Sequence, residues 1–150
     1  MNVEEYKKVI SMAVGNEIEA YDFYTAAGEK VENAGLKSIF KDLAAEEKKH
    51  QDFLQGLLTQ AKPMKFDENE DYKIAESVEA PKLSITMKPA DAIGLAMKKE
   101  EEAMAMYAGL AKASADKDQK DMFEQLSRME QGHKVRLEGI YSEMAYVEVW

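Results

Sequence analysis

Residues 40–50 read FKDLAAEEKKH and residues 123–133 read FEQLSRMEQGH. In both stretches Phe, Leu, Glu and His follow one another at steps of three and four residues. Side chains at these steps lie on one face of an α-helix. The two stretches therefore predict two helices whose buried faces each carry a Glu and, three residues later, a His.

The same steps extend into four apolar stripes of the kind that face the core of a helix bundle. They predict four helices, at about 3–31, 36–61, 89–114 and 118–146. Asn33-Ala34-Gly35 is expected to separate the first helix from the second. Pro89 suits the first turn of the third helix, and Asp118 is the predicted cap of the fourth.

The segment 62–88 carries no sustained stripe and contains Pro63 and Pro81. A connection of this length is unusual in a compact domain. One interpretation is a flexible linker between two hairpins. We favour a crossover that runs back along the bundle, so that the third helix starts at the same end as the second, because a two-helix hairpin alone has little core. The prediction is a single all-α domain over residues 1–150.

Composition excludes several classes of function. The formal net charge of −9 disfavours binding to nucleic acid or to an anionic membrane surface. The absence of cysteine excludes disulfides, cysteine-ligated metal centres and thiol catalysis. No apolar run is long enough for a transmembrane helix or a signal peptide, so a cytoplasmic location is expected.

The two halves of the chain repeat each other at an offset of 83 residues, the distance from Phe40 to Phe123. The register holds without a gap across both helices of each half. This repeat predicts two helical hairpins related by an approximate twofold axis, with the same side chains supplied to that axis by each half.

Six ionisable residues interrupt the apolar stripes near the middle of the helices: Glu17, Glu47, His50, Glu100, Glu130 and His133. Burial of one unpaired carboxylate costs several kcal/mol or forces it to take up a proton. Four carboxylates in one core layer would repel strongly, whereas total stability is only about 5–15 kcal/mol.

Metal ions remove this difficulty, since two divalent cations match the charge of four carboxylates. A Glu and a His three residues apart can face the same ion. Mixed carboxylate and imidazole ligands suit iron or manganese, and zinc could also enter. We therefore predict two iron ions per chain, held by these six residues, with no catalytic residue beyond the ligands.

Other polar residues near the stripes have less certain roles. Glu19, Glu46, Glu101 and Glu102 lie beside predicted ligands but off the inward face, so they are expected to be solvated or, at most, to contact a ligand from outside. Tyr24 and Tyr107 lie one heptad after Glu17 and Glu100. They are either core aromatics with a bonded hydroxyl, donors to a ligand carboxylate, or redox-active tyrosines.

The strings NEIEAYDFY, FKDLAAEEKKH, KKEEEAMAMY and FEQLSRMEQGH resemble the rubrerythrin family within the ferritin-like di-iron carboxylate superfamily. The resemblance covers the four helices and implies a ferritin-like bundle with one long crossover. It also implies that Glu47 and Glu130 bridge the two metals. Glu17 and His50 would then complete one metal site, and Glu100 and His133 the other.

The sequence departs from the family in two respects. Full-length rubrerythrins carry a rubredoxin-like domain with four cysteines, and this chain has none, so electrons would come from an external rubredoxin-like donor or a reductase. Rubrerythrins also carry a further Glu on the third helix, where this chain has Ala103, matching Ala20 in the first half. The six-residue set is closer to a ferroxidase centre of the bacterioferritin type.

The resemblance implies a di-iron oxidoreductase that reduces hydrogen peroxide, or dioxygen, and forms a homodimer. The alternatives are a ferroxidase that handles iron and a non-catalytic metal-binding protein that docks partners through the acidic crossover.

Overall fold

The computed structural model describes residues 2–60, 63–67 and 82–143. These residues form four long α-helices: α1 (Val3–Lys30), α2 (Ala34–Thr59), α3 (Pro89–Ala113) and α4 (Lys117–Glu143). The all-α class and the number of helices are as predicted. Ala34 and Gly35 belong to α2 rather than to the break before it. The predicted last residues of the second and fourth helices, 61 and 144–146, lie outside the described residues.

Polar side chains cap three of the helices. Asn2 and Glu5 form a reciprocal capping box at the start of α1. Asn33 accepts a hydrogen bond from the Leu36 amide at the start of α2, at 3.0 Å. The predicted cap of α4 is wrong: Asp116, not Asp118, accepts from the Gln119 amide at 3.0 Å. The helix begins one residue earlier than expected, so Asp118 lies in its first turn.

The helices form two antiparallel hairpins, α1 with α2 and α3 with α4. Helices α1 and α3 run in opposite directions where the two hairpins meet, since Tyr24 bonds to Glu100 and Tyr107 bonds to Glu17. Two hydrophobic clusters fill the bundle, one around Ile10 and Leu110 and the other around Phe40 and Leu137. The four helices therefore enclose a middle layer with an apolar cluster on either side.

The described ends of the crossover lie at opposite ends of the bundle. Phe66 stacks on Tyr6 with ring centroids 4.0 Å apart and pairs with Ser114 through the backbone, close to the start of α1 and the end of α3. At the other end, Lys30 donates to the Ile85 carbonyl near the end of α1. Residues 68–81 lie outside the described part. These anchor points confirm a crossover that returns along the bundle and make α2 and α3 parallel.

A buried glutamine fixes the first end of the crossover. The Gln119 side chain accepts from the Lys65 amide and donates to the Lys65 carbonyl, at 3.1 and 3.0 Å. The Lys65 carbonyl also accepts from the Ala115 amide at 2.9 Å, so both backbone polar groups of Lys65 are hydrogen-bonded. Among the described residues, no helix has the combination of length and apolar character needed to cross a bilayer.

Candidate metal centre

All six predicted ionisable residues meet in the middle layer of the bundle. Each side chain is almost completely buried, with at most 4% of its residue surface exposed. Glu17 comes from α1, Glu100 from α3, and the two Glu/His pairs from α2 and α4. The three-residue spacing within each pair places the Glu and the His on the same inward face of the helix.

The six side chains form two groups that share two members. In each group, one oxygen or nitrogen atom per residue lies within 4.8 Å of the others. Both groups contain Glu47 and Glu130. One group is completed by Glu17 and His50, and the other by Glu100 and His133.

The histidines reach across the bundle to the opposite helix. His50 Nδ1 lies 2.8 Å from Glu130 Oε1. His133 Nδ1 lies 2.5 Å from Glu47 Oε1, although the angles of this contact are not those of a hydrogen bond. The two rings are nearly parallel, with centroids 5.7 Å apart and an interplanar angle of 13°. Both imidazoles thus turn Nδ1 towards the carboxylates.

Tyr24 and Tyr107 hydrogen-bond to carboxylates of the opposite hairpin. The Tyr24 hydroxyl donates to Glu100 Oε1 at 2.6 Å, and the Tyr107 hydroxyl donates to Glu17 Oε1 at 2.5 Å. Both rings are fully buried. Burial, together with the nearby carboxylates, raises the pKa of both tyrosines well above the usual value, so the hydroxyls keep their protons. Each tyrosine leaves the second oxygen of its carboxylate free to face the centre.

The metal-free carboxylates cannot all be ionised together. Burial raises the pKa of Glu47 well above its usual value, and the charges of Glu100 and Glu130 raise it further. Burial and the neighbouring Glu130 raise the pKa of Glu100 to about 8. Glu17 behaves differently: burial alone would raise its pKa, but contacts with Glu47, His50 and Tyr107 outweigh burial and lower it. Protons therefore take the place of cations when no metal is bound.

The same carboxylates hold protons on the histidines. Burial alone would lower the pKa of His50, but Glu130 and Glu17 outweigh it and raise the pKa to about 9. For His133, burial is likewise outweighed by Glu100, Glu130 and Glu47, and the pKa is raised. At neutral pH the metal-free site is thus a cluster of acids and protonated imidazoles.

A cavity of about 610 Å³ lies between α1 and α3 and reaches the carboxylates of the centre. Glu47 and Glu130 lie in its wall, next to Ala20 and Ala103 from the two facing helices. The small alanine side chains leave space beside the centre where larger residues would close it. The cavity provides a route by which a small molecule can reach the buried carboxylates.

The acids beside the six predicted ligands make different contacts. Glu46, expected to be solvated or at most an outer contact, bonds to His133 Nε2. Glu19 accepts from Lys99 Nζ at 2.7 Å and from the Leu83 amide at 2.8 Å, and so ties the crossover to the bundle beside the cavity. Glu101 pairs with Lys134 at the surface, and Glu102 is exposed and lines the cavity.

The sequence alone predicts neither the specific partner of Glu46 nor the contact of Lys99. Both residues lie off the inward stripes, so periodicity carries no signal for them. The contact from Glu46 to His133 depends on how α2 lies against α4, and helical spacing within one chain segment does not define that arrangement.

A family model for rubrerythrin matches residues 8–141, which include all six site residues. The chain belongs to the rubrerythrin family. This assignment confirms the resemblance seen in the four helical strings. The matched residues cover most of the four-helix bundle and the whole buried carboxylate–histidine cluster.

Solved structures share the fold of this rubrerythrin-family chain. A hypothetical protein from Pyrococcus furiosus is 27% identical, with a TM-score of 0.75 over 100% of this chain and 94% of that one. A candidate ferritin-like diiron-carboxylate protein from Thermotoga maritima is 18% identical, with a TM-score of 0.68 over 96% of this chain and 97% of that one. The second likeness supports the fold alone. A comparison with curated proteins found no significant match.

Proposed function

We propose that this chain is a di-iron oxidoreductase that reduces hydrogen peroxide, or dioxygen, with electrons from an external donor. The observation that carries the proposal is the pair of buried ligand groups that share Glu47 and Glu130 beside a cavity. The family supports it, and the name of the Thermotoga protein refers to a diiron-carboxylate centre.

The residues at the centre fit two metal ions. The four glutamates and His133 each carry a buried oxygen or nitrogen that has no hydrogen-bond partner among the described residues. In His50 the nitrogen that faces the cluster, Nδ1, contacts Glu130, and the unpartnered atom is the outer nitrogen, Nε2. Unsatisfied buried polar atoms are rare in folded proteins and call for an explanation. Carboxylate oxygens and imidazole nitrogens are ligands that iron and manganese accept, and zinc also binds them. Two divalent ions would balance the four carboxylates.

One ion would be held by the group that contains Glu17 and His50, and the other by the group that contains Glu100 and His133. When bound, two ferrous ions supply the two electrons that cleave the O–O bond of peroxide, which takes up two protons and leaves as two waters. Because Glu47 and Glu130 belong to both groups, they would help to hold both ions.

The rest of the site prepares this chemistry without contacting the oxidant. The hydroxyls of Tyr24 and Tyr107 orient the two terminal carboxylates. Burial limits the contact of the centre with water to the side of the cavity, so charges there interact more strongly than in bulk water. The cavity beside Ala20 and Ala103 admits a molecule as small as peroxide or dioxygen.

Ferroxidase activity is the second candidate, and one observation favours it. Ala20 and Ala103 line the cavity at the two repeat-related positions where a further carboxylate would have to stand. The site therefore offers six ligands in a symmetric arrangement, while the acidic side chains of Glu19 and Glu102 line the same cavity. Lys82 and Lys99 line the cavity too, and Lys99 pairs with Glu19, so the charge of the lining does not by itself select a cationic substrate.

Anaerobic loading with two ferrous ions per chain, followed by separate additions of peroxide and dioxygen, tests the proposal. The expected result is rapid oxidation of the iron by peroxide, seen as a change in absorbance. This oxidation should repeat each time an external reductant is added and followed by peroxide. Oxidation of several further ferrous ions per chain by dioxygen, with the ferric product retained, would favour the ferroxidase. Loaded protein that reacts with neither oxidant would contradict both and leave the non-catalytic alternative.

An external rubredoxin-like donor or reductase, a homodimer and a cytoplasmic location remain predictions, as does the absence of nucleic acid and membrane partners. Size-exclusion chromatography with light scattering would test the dimer. Reduction of the oxidised protein by candidate electron-transfer proteins would test the donor.

A further inference from the structure

The two imidazoles of the centre differ in the contact made by their outer nitrogen. His133 Nε2 bonds to Glu46 Oε2, and the Arg136 guanidinium lies 3.6 Å from the same carboxylate oxygen. His50 Nε2 is equally buried but has no hydrogen-bond partner among the described residues. On the inner side each Nδ1 faces three carboxylates, although only His50 Nδ1 forms a hydrogen bond there.

The sequence repeat explains this difference. At the offset of 83 residues, Glu46 corresponds to Met129 and Arg136 corresponds to Phe53. Glu46 and Met129 have the same half-buried character. The second half of the chain thus lacks, at the position related to Glu46, any group that can accept a hydrogen bond as a carboxylate does.

The contact with Glu46 determines which nitrogen of His133 can bind a metal. A carboxylate only accepts hydrogen bonds, so Nε2 carries the proton and donates it. In the neutral ring the lone pair is then on Nδ1, which faces Glu47 and Glu100. A histidine oriented in this way is a better ligand, and loss of such a partner typically weakens metal binding by about 10–100-fold.

His50 has no such support. Its Nδ1 faces Glu130, so a metal there also requires the proton to sit on Nε2. That buried N–H would have no acceptor among the described residues. A donor left unpaired in the interior opposes binding at this position.

We propose that Glu46 is a positioning residue that makes the two metal positions unequal. The position completed by Glu100 and His133 binds a divalent ion more tightly and fills first, and the position completed by Glu17 and His50 is the one that exchanges. This inference rests on the proposed dinuclear site. It concerns the order in which the site fills, which the near symmetry of the six ligands does not predict.

Titration of the metal-free protein with Co²⁺ alone, followed by calorimetry and by the optical bands of the bound ion, tests the proposal. The wild type is expected to bind two ions in two resolved steps. Glu46→Met, which copies the residue found in the other half, should weaken the tight step by about 10–100-fold and leave the weak step unchanged. Met129→Glu should tighten the weak step instead.

Three further variants complete the design. Glu101→Met removes an exposed carboxylate next to a ligand and serves as the matched control, with both steps expected to be unchanged. Glu46→Gln keeps an uncharged acceptor and should restore part of the affinity lost in Glu46→Met. His50→Ala should remove the weak step and retain the tight one.

The outcomes separate the two proposals. Two ions that bind wild type with equal affinity, or a tight step that Glu46→Met leaves unchanged, would overturn the inference while the dinuclear site stands. Binding of fewer than two ions to wild type would overturn the dinuclear site as well. Circular dichroism checks that each variant keeps its helices. If Glu46→Met loses them, Met129→Glu becomes the deciding variant, and an unchanged weak step in that variant overturns the inference.

Discussion

The two hairpins of this bundle supply the same residues to the centre and differ outside it. Each hairpin provides one Glu, one Glu/His pair and one tyrosine that bonds across the bundle. Even the caps agree, since Asn33 of the first half corresponds to Asp116 of the second. The hairpins differ where Glu46 and Lys99 make contacts, because the related residues are Met129 and Asn16.

The buried cluster draws the same residue types from both halves, whereas the residues around it differ between the halves. Carboxylates gathered in a low dielectric need cations or protons to offset their charge, and both halves contribute carboxylates to the cluster. Residues outside the ligand layer carry no such requirement. They can differ between the halves without loss of the cluster. Variants that change both halves, and variants that change only one, test whether the two groups of residues differ in this way.

Removal of metal acts on both halves and should have the largest effect. An ion present at a hundred times its dissociation constant stabilises the fold by about 2.7 kcal/mol, so two ions add about 5 kcal/mol. For a chain of this length that corresponds to a shift in Tm of about 10–20 °C. Thermal unfolding at pH 7, with and without a chelator, measures it. An unchanged Tm would contradict the account.

Truncation of a shared ligand should cost more than truncation of a terminal one. Glu47→Ala removes a member of both groups and is expected to leave the isolated protein with no retained metal. His50→Ala removes a member of one group and should leave one ion per chain. Elemental analysis after loading and desalting gives the two stoichiometries, and equal metal loss in both variants would contradict a role for Glu47 in holding both ions.

The stability of the metal-free protein should fall as pH rises from about 6.5 to 9. Folding raises the pKa of Glu100 from 4.5 to about 8 and that of His50 from 6.5 to about 9. The raised pKa of Glu100 contributes fully to the stability of the fold below pH 4.5, and this contribution is lost as pH rises through about 8. The raised pKa of His50 contributes fully below pH 6.5, and this contribution is lost as pH rises through about 9. The lowered pKa of Glu17 acts in the opposite direction only below pH 4.5.

Urea unfolding at a series of pH values measures this dependence. The loaded protein should show a flatter profile, because cations have replaced the protons on the ligands. A metal-free protein whose stability is constant or increases over this range would contradict the charge assignment at the centre.

The smallest predicted effect distinguishes the two tyrosines. At pH 7 and without metal, Tyr107 donates to Glu17, which is ionised because its pKa is lowered, whereas Tyr24 donates to Glu100, whose pKa of about 8 keeps it mostly neutral. Hydrogen bonds to charged groups contribute about 1.5–3 kcal/mol and those between neutral groups about 0.5–1.5. Tyr107→Phe should therefore destabilise the metal-free protein more than Tyr24→Phe in urea unfolding, and the reverse order would contradict this assignment.

Helical periodicity predicted the four helices and brought all six centre residues onto inward faces. It succeeded because the ligands belong to the same stripes as Phe40 and Phe123, whose burial holds the helices together. Periodicity could not predict the contact of Glu46, the anchoring of Lys65 by Gln119, or the cavity beside Ala20 and Ala103. These features depend on how separate helices and the crossover meet in space.

The cap of α4 could have been predicted from the repeat. Asn33 lies in the break before α2, and the same offset of 83 residues leads to Asp116. Asp116 and Asp118 both lie in the short polar break before α4, and the break alone does not distinguish between them as a repeat-related cap does.

Anomalous diffraction from crystals of the iron-loaded protein tests the central claim most directly. We expect two iron peaks per chain inside the bundle. Glu47 and Glu130 should contact both, Glu17 and His50 one, and Glu100 and His133 the other. Peaks at the protein surface, or a centre that takes up no iron while its carboxylates stay protonated, would contradict it.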